Sequence, residues 1–274
     1  MPIKLIATDL DGTLMAPDHM TVTRRTKDAL EAAHSRGIKI AIATGRPLSL
    51  TDYVTQQIPF ADYVIYANGA GAFDRNANKI IYENLICNTD AKEIINHFLD
   101  KKVFFEIYID GKSHYQQGTE ELFDSKGIDE NFIEEVKKTM TPHSNLVDYL
   151  GDKGIEKITL YSIKEKDFPR YEEWLKSFGY ETASSFYGNL EATAPGVNKG
   201  SALTGIMDEL NITPDEVMCF GDAGNDIDML KLVKYSFAMG NADEDCKKAA
   251  KFLAGSNAED GLAAAVEEYV LNNG

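Results

Sequence analysis

Short apolar segments of strand length alternate with helical segments in the first third of the chain. Residues 3–9, 38–44 and 63–69 are apolar and rich in β-branched residues, which predicts three buried strands. Apolar residues at helical spacing predict helices over residues 21–36 and 47–58. Strands that alternate with helices pair in parallel through right-handed crossovers, so the chain is predicted to have an α/β fold with a parallel sheet.

The same alternation returns near the C-terminus, and a different pattern lies between the two ends. In the C-terminal part we predict strands over residues 217–222 and 235–239, and helices over residues 199–210, 226–233, 243–250 and 258–271. In the middle, the elements of a separate α+β unit are predicted over residues 88–99, 103–109, 155–163, 168–178 and 180–186. The sequence therefore predicts a discontinuous, Rossmann-like parallel sheet core over residues 1–84 and 188–274, with an inserted α+β domain over residues 85–187.

The balance of charges excludes some classes of partner. The chain has 274 residues, of which 28 are Lys or Arg and 44 are Asp or Glu, giving a net charge of −16. This argues against binding to nucleic acid or to an anionic membrane through a basic surface, but it allows a local pocket for a small anion. No apolar run approaches the roughly 18 residues of a membrane span, and the three cysteines form no CxxC pair. We therefore expect a cytoplasmic protein that binds neither nucleic acid nor a membrane, with its oligomeric state left open.

Two carboxylates follow the first predicted strand directly. Asp9 and Asp11, in the segment DLDGTL, lie at the carboxyl end of that strand, where parallel α/β sheets bind their ligands. Side chains two positions apart on an extended chain point to the same side. An acidic turn is the alternative interpretation, because Asp-Gly is also ordinary turn sequence.

Three further segments place polar groups at the same end of the predicted sheet. Thr44 and Gly45, in the segment ATGRP, offer a hydroxyl and backbone N–H groups at a helix start, although a simple helix cap has the same sequence. The segment GDAGND, from Gly221, puts more carboxylates after another strand. Lys199 begins a predicted helix, where a cation opposes the helix dipole unless an anion lies beside it. Together these groups predict a site for Mg²⁺ and a phosphoryl group, since carboxylates bind hard cations and cations neutralise phosphate.

The order and spacing of these segments resemble the haloacid dehalogenase (HAD) superfamily, and within it the Cof-like phosphatases with a large α/β (C2-type) cap. The resemblance is carried by DLDGTL from Asp9, ATGRP from Ala43, NKG from Asn198 and GDAGND from Gly221. These motifs are spread over the whole chain, and the insertion between the second and third is similar in position to the cap of that subgroup. The resemblance implies a HAD-like core, a Mg²⁺ cofactor and phosphatase activity on small phosphorylated metabolites, with sugar phosphates as the leading class.

The resemblance also implies a role for each motif residue. Asp9 would be the nucleophile that forms an aspartyl-phosphate, and Asp11 would be the general acid and base. Mg²⁺ would be held by the Asp9 side chain, the Asp11 carbonyl oxygen and Asp222, with Asp226 orienting these ligands. The groups expected to bind the phosphate are the side chains of Thr44, Lys199 and Asn225 and the backbone N–H groups of Leu10, Asp11 and Gly45.

Two other functions stay open on the sequence alone. A phosphotransferase or phosphomutase on the same scaffold would pass the phosphoryl group to a sugar hydroxyl instead of to water. A sensor would bind phosphorylated metabolites without turnover. All of the catalytic positions are filled, which argues against a sensor, because function has to be judged from the site and not from the fold.

Overall fold

The protein is described here by a computed structural model, which covers residues 2–123, 137–184 and 188–272. It forms two compact units. The first unit comprises Met1–Gly45, Thr51–Glu83 and Asn198–Gly274, and the second comprises Arg46–Leu50 and Asn84–Val197. The second unit therefore includes residues 188–197, which lie beyond the insertion boundary expected from the sequence. The assignment of the two units as catalytic core and cap stays a prediction.

The described residues form strands, helices and single helical turns in the following order along the chain. The strands are β1 (Leu5–Asp9), β2 (Lys39–Ala43), β3 (Tyr63–Tyr66), β4 (Gly71–Asp74), β5 (Lys79–Glu83), β6 (Phe104–Ile109), β7 (Lys112–Gln116), β8 (Met140–His143), β9 (Lys157–Tyr161), β10 (Glu181–Ala183), β11 (Leu190–Thr193), β12 (Val217–Gly221), β13 (Tyr235–Ala238) and β14 (Phe252–Leu253). The helices are α1 (Arg24–Ser35), α2 (Asp52–Thr55), α3 (Asn88–Lys101), α4 (Leu146–Leu150), α5 (Phe168–Lys176), α6 (Lys199–Leu210), α7 (Ile227–Leu232), α8 (Glu244–Ala249) and α9 (Gly261–Val266). Shorter turns lie at Leu10–Leu14, Leu48–Thr51, Ala67–Gly69, Glu120–Leu122, Pro214–Glu216, Gly224–Asp226, Asn257–Glu259 and Glu267–Leu271.

The first unit is built on one eight-stranded sheet in the order β14-β13-β12-β1-β2-β3-β4-β5. The strands from β14 to β3 run parallel, and β4 and β5 add an antiparallel hairpin at one side. The crossovers β1-α1-β2 and β12-α7-β13 run outward from β1 in opposite directions, as in doubly wound sheets. The predicted α/β fold with a parallel sheet is confirmed.

Apolar strands hold this sheet at the centre of the first unit. Leu5, Ile6, Ile40, Ile42 and Phe220 are completely buried in one continuous hydrophobic core. Burial of each such side chain stabilises the fold by about 1.5–3 kcal/mol. Helix α1 packs against α9, whereas α6 packs against α7 and against β4 and β5. The helices are short, and none of those that the structure describes is long and apolar enough to cross a membrane.

The second unit has its own sheet, in the order β10-β11-β9-β6-β7-β8. Every pair of neighbouring strands in this sheet is antiparallel except the pair β7 and β8, which is parallel. Phe105, Ile107, Ile158 and Leu160 alternate with polar residues along β6 and β9 and are almost completely buried. This alternation is typical of a sheet with one apolar face, against which helix α3 packs.

The sequence-based elements differ from the structure at several places. The helix predicted over residues 47–58 is wrong as one element, because the chain there forms the turn Leu48–Thr51 and the short helix α2. The structure also contains elements that were not predicted, namely strands β4, β5, β7, β8, β11 and β14 and helix α4. The element predicted over residues 180–186 is present only as strand β10, and residues 185–186 lie outside the described residues.

Candidate active site

Four chain segments reach the same edge of the first unit's sheet, which we call the carboxyl edge. Asp9 is the last residue of β1, Thr44 follows β2, and Asp222 follows β12. The turn Ala67–Gly69 follows β3. These four strands are parallel neighbours, with Asp9 opposite Ala43 in the register, so their carboxyl ends lie side by side. The topology therefore brings together residues that are far apart in sequence.

Lys199 is the cation at the carboxyl edge. It is the first residue of α6 and its side chain is completely buried. Its Nζ atom lies 2.5 Å from Oδ1 of Asp9 and 2.7 Å from Oδ1 of Asp226. Burial alone lowers the pKa of Lys199, but the carboxylates of Asp226 and Asp9 outweigh burial and raise the pKa above its ordinary value. Lys199 is therefore a fixed positive charge between two carboxylates.

Asp226 and Thr13 hold the loop that carries Asp222. Oδ2 of Asp226 accepts hydrogen bonds from the backbone N–H groups of Asp222, at 2.9 Å, and Ala223, at 3.1 Å. Thr13 donates from Oγ1 to Oδ1 of Asp222 at 2.8 Å. Since the two oxygens of the buried Asp226 contact Lys199 and this backbone, Asp226 positions its neighbours.

The carboxylates at this edge form a group that could hold a metal ion. Oxygens of Asp9, Asp222 and Asp226 lie within 4.8 Å of one another, and no other such group of His, Cys, Asp or Glu occurs in residues 2–123, 137–184 and 188–272. Burial and the neighbouring carboxylates raise the pKa of Asp9 well above its ordinary value, although Lys199 opposes the shift. Burial also raises the pKa of Asp222, to about 6.

Three carboxylates and one ammonium group leave an excess of negative charge in this cluster. A divalent cation would offset that excess and favour the ionised forms of Asp9 and Asp222. The donors are all hard oxygens, a set that suits Mg²⁺ better than a metal that prefers nitrogen or sulfur ligands. The residues present therefore fit the Mg²⁺ expected from the sequence.

Asp11 lies in a more open position than Asp9. Its side chain is 39% exposed, and Oδ1 lies 3.4 Å from Nδ1 of the exposed His19. The side chain of Leu10, between the two aspartates, is completely buried, so only its backbone could bind a ligand. The same loop is held by Asn241, which donates from Nδ2 to the carbonyl oxygen of Gly12 at 2.8 Å. The carboxyl group of Asp11 is therefore accessible to water, whereas that of Asp9, two positions earlier, is buried.

The structure also places the groups expected to bind phosphate. Thr44 is buried at the end of β2, and its backbone N–H donates to the carbonyl oxygen of Ile65 at 2.9 Å. Gly45 is half-buried beside the side chain of Asn68. Asn225 is exposed and donates from Nδ2 to Oδ1 of Asn68 at 3.2 Å. All of the residues expected at the site lie in the first unit.

Sequence reasoning missed Thr13 and Asn68. Thr13 stands inside the DLDGTL motif, so its place four residues after Asp9 was the available signal. Asn68 lies two residues after the end of β3, close to its strand end as Asp9 and Thr44 are to theirs. The rule that ligand-binding groups lie at the carboxyl ends of parallel strands therefore applied to Asn68 as well.

Comparison with known proteins identifies the family. A sequence profile described as haloacid dehalogenase-like hydrolase matches residues 6–266, which is nearly the whole chain. The chain belongs to this family. The resemblance drawn from the four motifs is thereby confirmed.

Several members of this family with similar sequences are phosphatases. The putative phosphatase YxeH of Bacillus subtilis (strain 168) is 30% identical, over 98% of this chain and 98% of its own length. The 5-amino-6-(5-phospho-D-ribitylamino)uracil phosphatase YcsE of the same organism is 28% identical, over 98% of this chain and 96% of its own length. Among solved structures, the HAD subclass IIB sugar phosphatase BT4131 has a TM-score of 0.80 and 29% identity, and the match covers 97% of this chain and 98% of that chain. This member of the haloacid dehalogenase-like hydrolases is an enzyme, a phosphoric monoester hydrolase.

Proposed function

We propose that this enzyme is a Mg²⁺-dependent phosphatase that hydrolyses sugar phosphates through an aspartyl-phosphate on Asp9. The observation that carries the proposal is the pairing of the buried Lys199 with Asp9 and Asp226, beside Asp222. A buried ammonium group next to a carboxylate nucleophile suits a substrate that brings negative charge to the reacting atom.

The chemistry takes two displacements at phosphorus. First, a carboxylate oxygen of Asp9 attacks phosphorus, the bond to the ester oxygen breaks, and Asp11 gives its proton to the departing oxygen. Next, Asp11 takes a proton from water, the water oxygen attacks phosphorus, and the bond between phosphorus and Asp9 breaks. The products are inorganic phosphate and the free alcohol. The partly exposed position of Asp11 supports this exchange of protons with water.

The residues that would hold Mg²⁺ are Asp9 and Asp222 through carboxylate oxygens and Asp11 through its carbonyl oxygen, with Asp226 orienting them. When bound, the ion supplies positive charge that offsets the phosphoryl oxygens and the crowded carboxylates. The excess of carboxylates over Lys199 and the oxygen-only donor set support this assignment. The hydrogen bond from Thr13 to one oxygen of Asp222 fixes the orientation of that carboxylate.

The groups that receive the phosphoryl oxygens come from several segments of the carboxyl edge. Lys199 supplies a full positive charge, and Thr44 supplies a hydroxyl donor. Backbone N–H groups of Leu10, Asp11 and Gly45 add neutral donors, and the Asn225 amide adds another. Donors that are fixed before the reaction stabilise developing charge without reorganising, which is the largest contribution in most phosphoryl-transfer sites.

The names of the relatives support a sugar phosphate as the substrate. BT4131 is called a sugar phosphatase, and the named substrate of YcsE carries a phosphorylated ribityl group. Both contain a phosphate ester on a chain of hydroxyl-bearing carbons. We propose the same class of substrate for this enzyme.

We further assign Asn84–Val197, the part of the second unit that includes the predicted cap over residues 85–187, the role of a cap that selects the leaving group. The second unit has its own sheet and its own buried apolar face, which supports a separately folded unit with a surface of its own. Replacing Asn84–Val197 with a short Gly/Ser linker tests the role. We expect discrimination among phosphorylated sugars to shrink more than activity on p-nitrophenyl phosphate, because binding energy from the leaving group also promotes the chemistry. An unchanged ranking of sugars would show that the core loops select the substrate.

A panel of phosphorylated sugars, assayed with Mg²⁺ for release of inorganic phosphate, tests the proposed function. We expect turnover of several sugars, and transient ³²P labelling of the wild-type protein but not of Asp9→Asn when ³²P-labelled substrate is rapidly quenched. Added free sugars distinguish the phosphotransferase, which would produce a new sugar phosphate in place of inorganic phosphate. Binding of sugar phosphates without turnover would contradict the proposal and favour the sensor.

A further inference from the structure

The turn Ala67–Gly69 has an unusual backbone for its sequence. Ala67, Asn68 and Gly69 have φ angles of 51°, 58° and 100°, so three successive residues lie at positive φ. Glycine adopts such angles freely and asparagine tolerates them, but alanine rarely does. Residues held in this region persist when the surrounding structure fixes them, and such residues cluster at functional sites.

Asn68 and Gly69 contact three of the four motif segments. A Cβ atom on Gly45 would lie 2.6 Å from Oδ1 of Asn68, and a Cβ atom on Gly69 would lie 2.1 Å from the carbonyl oxygen of Asn198. Both glycines are therefore needed for close approach. The backbone N–H of Asn68 donates to the carbonyl oxygen of Thr44 at 3.1 Å, and its side chain accepts from Asn225. The turn thus contacts the ATGRP loop, the start of α6 and the GDAGND loop.

We propose that Asn68 is a positioning residue for phosphate binding, acting through the side chain of Asn225. An amide nitrogen carries two hydrogens, so Asn225 has a second N–H to donate to a phosphate oxygen while it donates the first to Asn68. The hydrogen bond to Asn68 sets the direction of that second N–H. This inference rests on the proposed phosphatase function, and none of the four motifs contains Asn68.

Two substitutions separate the side chain of Asn68 from its backbone. Asn68→Gly removes the amide and keeps a residue that adopts positive φ readily. We expect the inhibition constant of inorganic phosphate and the KM of p-nitrophenyl phosphate to rise about tenfold, because a tenfold change corresponds to the loss of one hydrogen bond. The change in kcat should be smaller. Asn68→Asp keeps the acceptor for Asn225 but adds a negative charge, so we expect KM to rise about tenfold for a different reason, repulsion of the phosphate.

A matched control is available in the same unit. Asn78 also has a positive φ, of 50°, and lies exposed between β4 and β5. Asn78→Gly should leave both constants unchanged. Unchanged phosphate binding in the two Asn68 variants would overturn the proposal, and so would a loss of thermal stability without a rise in either constant. Should Asn68→Gly not fold, Asn68→Asp decides, since an unchanged KM in that variant would show that the Asn68 side chain lies too far from the bound phosphate to position a donor there.

A double-mutant cycle tests whether Asn68 acts through Asn225. If it does, Asn68→Gly adds little to the loss already caused by Asn225→Ala, because both variants remove the same oriented donor. Additive losses would overturn this route. The assay of the wild-type enzyme separates a failure of the proposed phosphatase function from a failure of the role proposed for Asn68. A wild-type enzyme without phosphatase activity contradicts the proposed function, whereas an active wild type with unaffected Asn68 variants contradicts only the role of Asn68.

Discussion

Lys199 donates a hydrogen bond from Nζ to Oδ1 of Asp9 at 2.5 Å, although 190 residues separate the two along the chain. Both side chains are buried, so neither charge is compensated by water. The pair stabilises the ionised form of Asp9, which is the form that can attack phosphorus. Removing the cation should therefore affect catalysis and folding together.

We expect Lys199→Met to lower kcat/KM for p-nitrophenyl phosphate about 1,000-fold or more, because Asp9 loses its neighbouring positive charge. Breaking a buried ion pair also leaves charge uncompensated, so the free energy of unfolding should fall by about 3–5 kcal/mol. Urea unfolding and steady-state kinetics measure the two effects. Lys157, which pairs with Glu191 at 2.8 Å and is also buried, provides the matched control. Lys157→Met should lose stability but keep kcat within about tenfold, and equal kinetic losses in both variants would contradict a specific role for Lys199.

Asp9→Asn should abolish turnover while the protein still folds. An amide has nearly the shape of a carboxylate but is a poor nucleophile, so we expect activity to fall by several orders of magnitude. Phosphate release and circular dichroism test the two parts of the prediction. Asp28→Asn, at an exposed position on α1, should behave as wild type. Residual activity above about 1% in pure Asp9→Asn protein would argue against a covalent intermediate on this residue.

Mg²⁺ should be required for activity and should stabilise the fold. We expect chelation with EDTA to abolish turnover and added Mg²⁺ to restore it and raise Tm, since a ligand that binds only the native state stabilises that state. Ca²⁺ should inhibit, because it takes more ligands at longer distances and disturbs the approach of Asp9. Asp222→Asn should raise the Mg²⁺ concentration needed for half-maximal activity, whereas the exposed Asp28→Asn should not. Full activity in EDTA would exclude the proposed cofactor.

The second unit contains a histidine whose ionisation should make stability depend on pH. Nδ1 of His114 lies 2.9 Å from Nε2 of His143, and Nε2 of His114 lies 3.3 Å from the hydroxyl of Tyr149. Burial, followed by repulsion from His143, lowers the pKa of His114 from 6.5 to about 4. Between about pH 6.5 and about pH 4, His114 therefore binds a proton in the unfolded chain but not in the native chain. This contribution to stability is complete above about pH 6.5 and is lost as the pH falls toward about 4.

His114→Gln should reduce that pH dependence. Between about pH 7 and about pH 5, the urea midpoint of the variant should fall less than that of the wild type, because glutamine takes up no proton. Parallel midpoint curves for the two proteins would show that His114 titrates normally in the native state.

Much of the first unit's sheet could be predicted from the sequence, for a physical reason. Strands β1, β2, β3, β12 and β13 are buried on both faces, so each is a short apolar run. Helix α6 was predicted over its full length, and Asn198 caps it by accepting from the backbone N–H of Ser201 at 2.8 Å. Local sequence is sufficient to predict a strand that is apolar because it is buried, and a helix whose first turn has a capping residue.

The elements that were missed have weaker local signals. Strand β11 includes the buried Glu191, whose partner Lys157 comes from another strand, so its sequence does not look like a core strand. The segment over residues 47–58 crosses from the second unit to the first after Leu50, and its helical spacing does not reveal that change. At the site, the motifs predicted the carboxylates. The proposed role of Asn68 depends on its contact with Asn225, which its position after β3 does not reveal.

The first unit is assembled from three stretches of chain, and this sets an order for its biosynthesis. Strands β1 and β2 are translated before most of the second unit, but the other neighbour of β1, strand β12, is translated only after it. Lys199 and the Asp222 loop therefore reach Asp9 only after the second unit has been translated. We expect the second unit, which is nearly continuous in sequence, to fold first on the nascent chain. A chain that stalls before Lys199 would expose one side of β1, where chaperones would bind it.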